Sequence, residues 1–260
     1  MSEHYFEGLD GRPRSEKPRA TGLTMVIDWG IGPNEQHDLV VQASAHFDLA
    51  KVAVGVSRLL PNDYLSQKLR VYLEHDIEPF PGGMFLEYAE VEEKTEAYFE
   101  AVCRAGYRCI EVSDNMAEVT LEWKQRMIRR AIEEFDLRVI GEVGKKEGLH
   151  SGAELKDDAK LCLDTGSSIV LLEAAELIDE DEATTGMVEG VVEAVGLEKV
   201  MFELPGPWIE GINGSDIHRM RRQLVDRYGP EVNIGNVAPS EIIPLEAYRR
   251  GLGVNAGKRE

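Results

Sequence analysis

The stretch Gly141–Lys146, with the sequence GEVGKK, places a carboxylate and two ammonium groups at the end of a short β-like run. Three other apolar runs end in carboxylates, at Glu111, Glu173 and Glu203. Because the carboxyl ends of parallel strands converge on one face of a sheet or barrel, we expect these groups to meet. A site built from them would suit proton transfer on a charged substrate.

The fifth predicted strand carries the candidate proton donor. Strand alternation places Glu142 and Lys146 on one face, so both side chains are expected to point into the same mouth. A lysine there holds an anion or acts as a general acid, with a pKa set by burial and neighbouring charge. Two alternatives stay open: a lysine that reaches solvent at the rim, and an internal Lys–Glu pair. The candidate catalytic residues are Lys146, Lys145 and Glu142.

The strand-end carboxylates also form a candidate Mg²⁺ site, because magnesium prefers oxygen ligands and retains several waters. The alternative is that some of them pair with Lys51 or with the two lysines of GEVGKK inside the barrel. We expect one or two of the candidates to bind the metal. The candidate metal ligands are Glu111, Asp114, Glu173 and Glu203, with Glu142 as a further carboxylate of the same set.

Two glycine-containing loops would let a ligand approach the backbone closely. In the segment 233–240, Gly235 permits that approach and Pro239 suits the first helical turn, an arrangement that binds phosphate in many barrels. The alternative is an ordinary β-to-α turn. For the loop that contains Gly82 and Gly83, the alternative is a simple end to the strand. Both alternatives stay open.

These groups must be positioned by alternating strands and helices. Eight apolar runs, from Leu23–Asp28 to Val232–Ile234, each precede a helix-like segment. Continuous apolar strands followed by helices indicate a parallel sheet. Eight such units predict a single-domain (β/α)₈ TIM barrel of the α/β class over residues 22–260, preceded by a polar arm over residues 1–21. A doubly wound open sheet is disfavoured because no G-x-G-x-x-G follows the first strand.

Composition limits the partners. The 260 residues carry a net charge of −19, which argues against nucleic acid or an anionic membrane surface as a partner. An anion site must therefore be built locally, and we expect a small anionic substrate. Three cysteines without metal-ligand spacing fit a reducing compartment. The sequence contains no long hydrophobic run, so we expect a cytoplasmic protein.

Several motifs follow one another from about residue 21 to residue 255: GLTMVID, the Lys51 strand, FPGG, IEVSD, GEVGKK, NIGN and RRGLG. In this order they resemble the phosphosulfolactate synthase family. The resemblance implies a (β/α)₈ barrel, a homo-oligomer and the Mg²⁺-dependent addition of sulfite to phosphoenolpyruvate. Sulfite would attack the methylene carbon, the metal would steady the enolate-like charge, and the lysine at the position of Lys146 would protonate C2.

The chain departs from the family pattern at two cations. Trp29 stands where the family usually has lysine, and Ala175 stands where we expect arginine. Each charge-assisted contact is worth ~1.5–3 kcal/mol, so the losses point to two alternatives: a less anionic enol or enoyl acid as substrate, or a non-catalytic homologue. The candidate substrate-binding residues are Asp28, Trp29, Lys51, Gly82, Gly83, Ser113, Gly235 and Asn236.

Overall fold

The structure is a computed structural model that describes residues 5–6, 8–115, 117–144, 152–173, 182–206, 209 and 211–256. Within these residues, strands and helices alternate along the chain as predicted. The strands are β1 Thr24–Asp28, β2 Leu49–Val52, β3 Glu78–Pro81, β4 Cys109–Val112, β5 Arg138–Val143, β6 Val170–Glu173, β7 Val200–Glu203 and β8 Asn233–Val237.

All ladders between the described strands are parallel, and the strand order is β3-β2-β1-β8-β7-β6-β5-β4. The sheet curls into a nearly closed barrel, with β3 lying beside β4. The register places Lys51 of β2 beside Ile27 of β1, and Glu173 of β6 beside Glu203 of β7. The predicted single-domain (β/α)₈ TIM barrel is therefore confirmed.

The sequence of β3, Glu-Pro-Phe-Pro, explains why no β3–β4 ladder is present among the described residues. The amide of Glu78 donates to the carbonyl of Asp48, just before β2, at 2.9 Å, and the amide of Gly82 donates to Val52 of β2 at 3.0 Å. Because backbone N–H groups alternate sides along a strand, the nitrogens of Pro79 and Pro81 face β4. Proline has no N–H to donate there. The barrel is left with a seam at this position.

The barrel interior is divided into an apolar lower layer and a charged upper layer. The lower layer consists of buried side chains from seven strands: Met25, Leu49, Phe80, Cys109, Ile140, Leu171 and Met201. A second and larger apolar core lies between the outer face of the sheet and the helices. Because successive residues of a strand face opposite sides, the residue two positions beyond a lower-layer residue also points inward.

The helices pack around the barrel. They are α1 Pro33–Ala43, α2 Val56–Leu59, α3 Asn62–Leu73, α4 Met84–Val91, α5 Thr95–Ala105, α6 Leu121–Glu133, α7 Gly152–Thr165, α8 Glu182–Val195, α9 Gly214–Tyr228 and α10 Ile242–Arg249. The structure adds two short helices, α2 after β2 and α4 after β3, to the eight strand–helix units that the sequence predicts. At the start of α6, the Thr120 side chain accepts a hydrogen bond from the Trp123 amide at 3.2 Å, as a helix cap does.

The described part of the arm packs against the amino-terminal end of the barrel. The buried Arg14 guanidinium lies 2.7 Å from Glu231 and donates to the carbonyl of Gly22 at 3.0 Å. Arg19 pairs with Asp48 at 3.0 Å. The arm is therefore tied to the segments that precede β2 and β8. No helix in the described ranges is long and apolar enough to cross a membrane.

Candidate active site

A layer of charged side chains lies above the apolar floor of the barrel. Each member stands two residues after an inward-facing apolar residue of the same strand, which is why the sequence buries it. All five are buried, with exposed fractions of 7% or less. They are Lys51 of β2, Glu111 of β4, Glu142 of β5, Glu173 of β6 and Glu203 of β7.

Lys51 is held between two of these carboxylates. Its Nζ lies 2.8 Å from Oε2 of Glu111 and 2.8 Å from Oε1 of Glu203. Burial lowers the pKa of Lys51, but the carboxylates of Glu111, Glu203 and Glu142 more than offset it and raise the pKa well above its usual value. The raised pKa of Lys51 favours its ammonium form, and the alternative of a Lys–Glu pair inside the barrel is present at this lysine.

Glu111 holds a proton more firmly than an ordinary glutamate. Burial raises its pKa well above the usual value, and Lys51 lowers it only in part because Glu142 and Glu203 raise it further. A hydrogen bond with Glu142 adds to the rise, since it favours the protonated form of Glu111. The pKa of Glu111 is therefore raised above that of an ordinary glutamate even though the Lys51 ammonium lies beside it.

Three carboxylates form a group suited to a metal ion. Glu142, Glu173 and Glu203 each present one oxygen, and these oxygens all lie within 4.8 Å of one another. Like charges held this close in a buried site repel each other, and a divalent cation would relieve the repulsion. Oxygen ligands are those that Mg²⁺ prefers, so the residues present fit the predicted metal.

The charged layer opens into a cavity of about 240 Å³. Its charged lining residues are Lys51, Glu111 and Glu142, and its apolar ones include Met84 and Trp29, which is half exposed. The full lining consists of Ile27, Trp29, Lys51, Ala53, Val54, Gly82, Gly83, Met84, Glu111, Glu142 and Asn236. The cavity therefore combines a charged floor with a largely apolar wall.

Two cavity residues have unusual backbone or side-chain environments. Val54 has a φ of 39°, a left-handed conformation that a β-branched residue rarely adopts. Asn236 has a φ of 55°, and its buried Oδ1 accepts no hydrogen bond from the described residues. Asn236 lines the cavity, so a ligand N–H or O–H or a water molecule could satisfy this oxygen.

Several predicted site residues do gather around this cavity. Trp29, Lys51, Gly82, Gly83, Asn236 and Glu142 line it, and the predicted metal ligands Glu173 and Glu203 join Glu142 in the carboxylate group. The glycines are required there by space. A Cβ on Gly82 would lie 2.8 Å from the Val54 backbone nitrogen, and one on Gly83 would lie 2.5 Å from Ser113 Oγ.

Asp28 lies on the other face of its strand. Met25 and Ile27 point into the barrel, so alternation turns Asp28 toward the helices. Its Oδ1 accepts from the amides of residues 30 and 31 at 2.7 and 2.9 Å, and its Oδ2 lies 2.6 Å from Lys68 and accepts from Tyr72 at 2.8 Å. The structure therefore gives Asp28 an anchoring position for the loop that carries Trp29.

Three further predicted residues lie beside the cavity without lining it. Asp114 binds Lys124 at 3.0 Å and stays outside the carboxylate group. The candidate ligand Glu111 lines the cavity but pairs with Lys51, and it also lies outside that group, whose third member is Glu142. Ser113 donates to Glu87, and Gly235 faces the apolar floor, where a Cβ would lie 2.7 Å from Met25 Cε. The predicted catalytic lysines Lys145 and Lys146, and Ala175, lie outside the described residues.

Three buried charges that support the site were missed at the sequence level. Lys68 of α3 holds Asp28, and Lys124 of α6 holds Asp114. Glu87 of α4 accepts from Ser113 and from the amides of Asn115 and residue 117, at 2.9 and 2.8 Å for the amides. Apolar neighbours at helical spacing around these positions indicate burial, but nothing in the sequence shows the strand ends that they reach.

Comparison with known proteins gives a consistent result along the chain. A family model described as (2R)-phospho-3-sulfolactate synthase (ComA) matches residues 12–255. Phosphosulfolactate synthase of Methanothermobacter thermautotrophicus is 33% identical over 95% of each chain. The Methanocaldococcus jannaschii enzyme of the same name is 28% identical over 89% of this chain and 92% of its own. A structure of DHDPS from Cyanidioschyzon merolae shares the barrel fold, with a TM-score of 0.55, 11% identity, and coverage of 90% of this chain and 74% of its own.

Proposed function

Because the chain belongs to the phosphosulfolactate synthase family, whose members are lyases that form a C–S bond, we propose that it adds sulfite to phosphoenolpyruvate. The sulfur lone pair attacks the methylene carbon, the electrons of the C=C bond move toward C2, and C2 takes up one proton. The product is the phosphosulfolactate of the family description. The position of the site, at the carboxyl ends of the barrel strands, supports this proposal.

The carboxylate group Glu142, Glu173 and Glu203 is the observation that carries the proposal. We propose that these three residues hold Mg²⁺, since one oxygen of each lies within 4.8 Å of the others. When bound there, Mg²⁺ would stabilise the negative charge that develops on the acceptor. Four carboxyl groups and one ammonium form the described layer, so a divalent cation would also bring its charge closer to neutrality.

Lys51 has a separate task in this proposal. Its ammonium lies at the cavity and is fixed by Glu111 and Glu203 at 2.8 Å each. Because two buried carboxylates hold its ammonium in place, Lys51 is a preorganised charge that would orient an anionic acceptor at low cost. We assign Lys51 to binding and orientation, since its raised pKa opposes proton donation.

The proton donor in this proposal is Lys146, with Lys145 as its neighbour. Strand β5, which precedes Lys146 in the sequence, ends beside the cavity, since its residue Glu142 lines that cavity. Replacement of Lys146 by alanine should abolish turnover and leave the fold intact. Turnover of Lys146→Ala close to that of the wild type would exclude the acid role.

The test of the proposed reaction is an assay of the purified protein with phosphoenolpyruvate, sulfite and Mg²⁺, with mass spectrometry of the product. We expect a phosphosulfolactate that is absent from the Lys146→Ala reaction. A folded wild-type protein that forms no product would refute the proposal, and it would favour either the non-catalytic homologue or a different acceptor.

A second candidate substrate class is favoured by an apolar groove that continues from the cavity. The groove has a volume of about 640 Å³ and shares Trp29, Val54 and Met84 with the cavity. Its walls include Leu59, Tyr88 and Val91, and its polar lining residues are Arg58 and Glu87 among the described ones. An enol or enoyl acid with an apolar substituent would fill this groove, and each buried methylene is worth about 0.8 kcal/mol, or about fourfold in kcat/KM.

The two substrate classes are separated by kcat/KM for phosphoenolpyruvate and for an analogue with an apolar substituent. If the groove sets specificity, the wild type prefers the analogue, and Trp29→Lys combined with Ala175→Arg reverses the preference. An unchanged preference in the double variant would exclude a role of these positions in specificity. The proposals of a homo-oligomer and of a cytoplasmic location rest on the resemblance and the composition, and light scattering on the purified protein tests the first.

A further inference from the structure

A buried ion cluster lies directly behind the active site, between the barrel and its helices. Lys124 of α6 is fully buried, and its Nζ donates to three acceptors. These are Oδ2 of Asp158 at 2.7 Å, the main-chain carbonyl of Glu142 at 2.7 Å and Oδ1 of Asp114 at 3.0 Å. An ammonium has three N–H donors, so the bonding capacity of Lys124 is fully used.

The three acceptors belong to three different elements around the mouth. Asp114 lies in the loop after β4, Asp158 lies on α7, and Glu142 lies near the end of β5. The β4–β5 ladder ends at the pair Val112 and Gly141, so the carbonyl of Glu142 lies just beyond it. Lys124 supplies a donor to that carbonyl at the point where β4 has ended.

The packing of α7 against β5 leaves the main chain around Glu142 little room to move. A Cβ on Gly141 would lie 2.8 Å from the Cβ of Cys162, so α7 packs closely against β5. Asp158 on the same helix faces both Lys124 and the Cys162 thiol, whose Sγ lies 3.7 Å from it. The backbone on either side of the Glu142 side chain is therefore held from the helix side, while the carboxylate itself points into the barrel.

We propose that Lys124 is a positioning residue for the reaction, which holds the main chain of Glu142 so that its carboxylate meets those of Glu173 and Glu203. This inference rests on the proposed metal site. Lys124 contacts neither substrate nor metal in this scheme, and it acts through the Glu142 carbonyl. Asp114 and Asp158 balance its charge and fix the ammonium in place.

If Lys124 only stabilised the fold, its loss would leave metal binding unchanged. Arg249 provides a matched control for that case. Arg249 is also a fully buried cation, but it lies at the opposite end of the barrel. Its guanidinium donates to the carbonyls of Pro230 and Val232 at 2.6 Å each. Loss of Arg249 should lower stability and leave the metal site unchanged, whereas loss of Lys124 should change both.

The experiment measures Mn²⁺ binding by calorimetry to the wild type, to Lys124→Met with Asp158→Asn, and to Arg249→Met. The second substitution in the double variant reduces the buried negative charge left without a partner. We expect the double variant to bind Mn²⁺ about 10–100-fold more weakly, the range for lost outer-shell partners of metal ligands, and to lose kcat. Arg249→Met should bind Mn²⁺ as the wild type does.

Equal Mn²⁺ affinity in the wild type and the double variant would overturn the positioning role. A wild type that binds no Mn²⁺ would refute the metal site, which distinguishes the failure of the proposed function from the failure of this inference. If the double variant does not fold, Lys124→Arg serves instead. It keeps the charge, but its planar guanidinium does not match three converging acceptors, so weaker Mn²⁺ binding is expected and wild-type binding would overturn the role.

Discussion

The replacement of Lys51 by methionine tests the electrostatics of the charged layer. Lys51 is 7% exposed, and its ammonium lies 2.8 Å from both Glu111 and Glu203. Methionine keeps most of the volume and leaves two buried carboxyl groups without their cation. Removal of one partner of a buried ion pair costs about 3–5 kcal/mol, so we expect the free energy of unfolding to fall by that amount near pH 8.

The loss of stability in Lys51→Met should be smaller at low pH than at high pH. Burial raises the pKa of Glu111 above its value in the unfolded chain, and Lys51 opposes that rise. A raised folded pKa gives stability that is present below the unfolded pKa and is lost as the pH rises through the folded pKa. Without Lys51 the pKa of Glu111 rises further, so the variant should lose less stability near pH 5, where the carboxyl is protonated, than near pH 8.

Urea denaturation followed by circular dichroism measures both effects. The matched control is the double variant Lys51→Met with Glu203→Gln, which removes one of the two carboxylates left without a cation. It should recover part of the loss, with a coupling of about 0.5–3 kcal/mol between the two positions. A loss below about 1 kcal/mol for Lys51→Met at pH 8, which is the range of exposed ion pairs, would refute this reasoning.

Three further predictions concern the arm, the cavity wall and pH. Arg14→Met should lower the free energy of unfolding by about 1.5–3 kcal/mol and open the arm to limited proteolysis, because its buried guanidinium binds Glu231 at 2.7 Å; an unchanged cleavage rate would contradict this. Gly82→Ala should raise KM for the acceptor, because its Cβ would lie 2.8 Å from a backbone nitrogen. Gly214→Ala, whose Cβ would meet open space, should leave KM unchanged. Equal KM values in the two variants would contradict the role of the loop. Burial lowers the pKa of His46 more than Glu246 raises it, so stability in thermal melts should fall as the pH drops below about 6.5, and His46→Gln should reduce that fall.

The fold was predictable because its pattern is regular. Eight apolar runs, each followed by a helix-like segment, define the barrel. The helix α4, Met84–Val91, was missed because the pair Gly82-Gly83 was interpreted only as the end of a strand, whereas Gly83 is also the N-cap of a helix. The seam between β3 and β4 was not predicted either, although the two prolines of β3 carry the information.

The candidate site was predictable where strand alternation alone decides which side chains point inward. Lys51, Glu142, Glu173 and Glu203 each lie two residues beyond an inward apolar residue, and all four face the barrel interior. Asp28 stands one residue out of this phase, so it faces the helices. The partners of these groups could not be predicted, since Lys124 meets the carbonyl of residue 142 only after α6 has packed against β5.

Two lysines on the helices are buried against the local pattern of their sequence. Lys68 and Lys124 lie within amphipathic helices, where a lysine ordinarily reaches solvent. Both are instead buried, and each binds an aspartate at the end of a neighbouring strand, Asp28 and Asp114. The contact depends on the tertiary arrangement of helix and strand, and local sequence does not encode that arrangement.

The proposed metal-dependent reaction is tested by the Mg²⁺ dependence of sulfite addition to phosphoenolpyruvate, measured for the wild type and for Glu173→Gln. We expect product from the wild type with Mg²⁺ and none after removal of divalent ions by EDTA. Glu173→Gln should need about tenfold or more Mg²⁺ for half-maximal turnover, since a neutral amide replaces one of the three carboxylate ligands. Full turnover in EDTA, or the same Mg²⁺ requirement in both proteins, would contradict the proposed metal dependence.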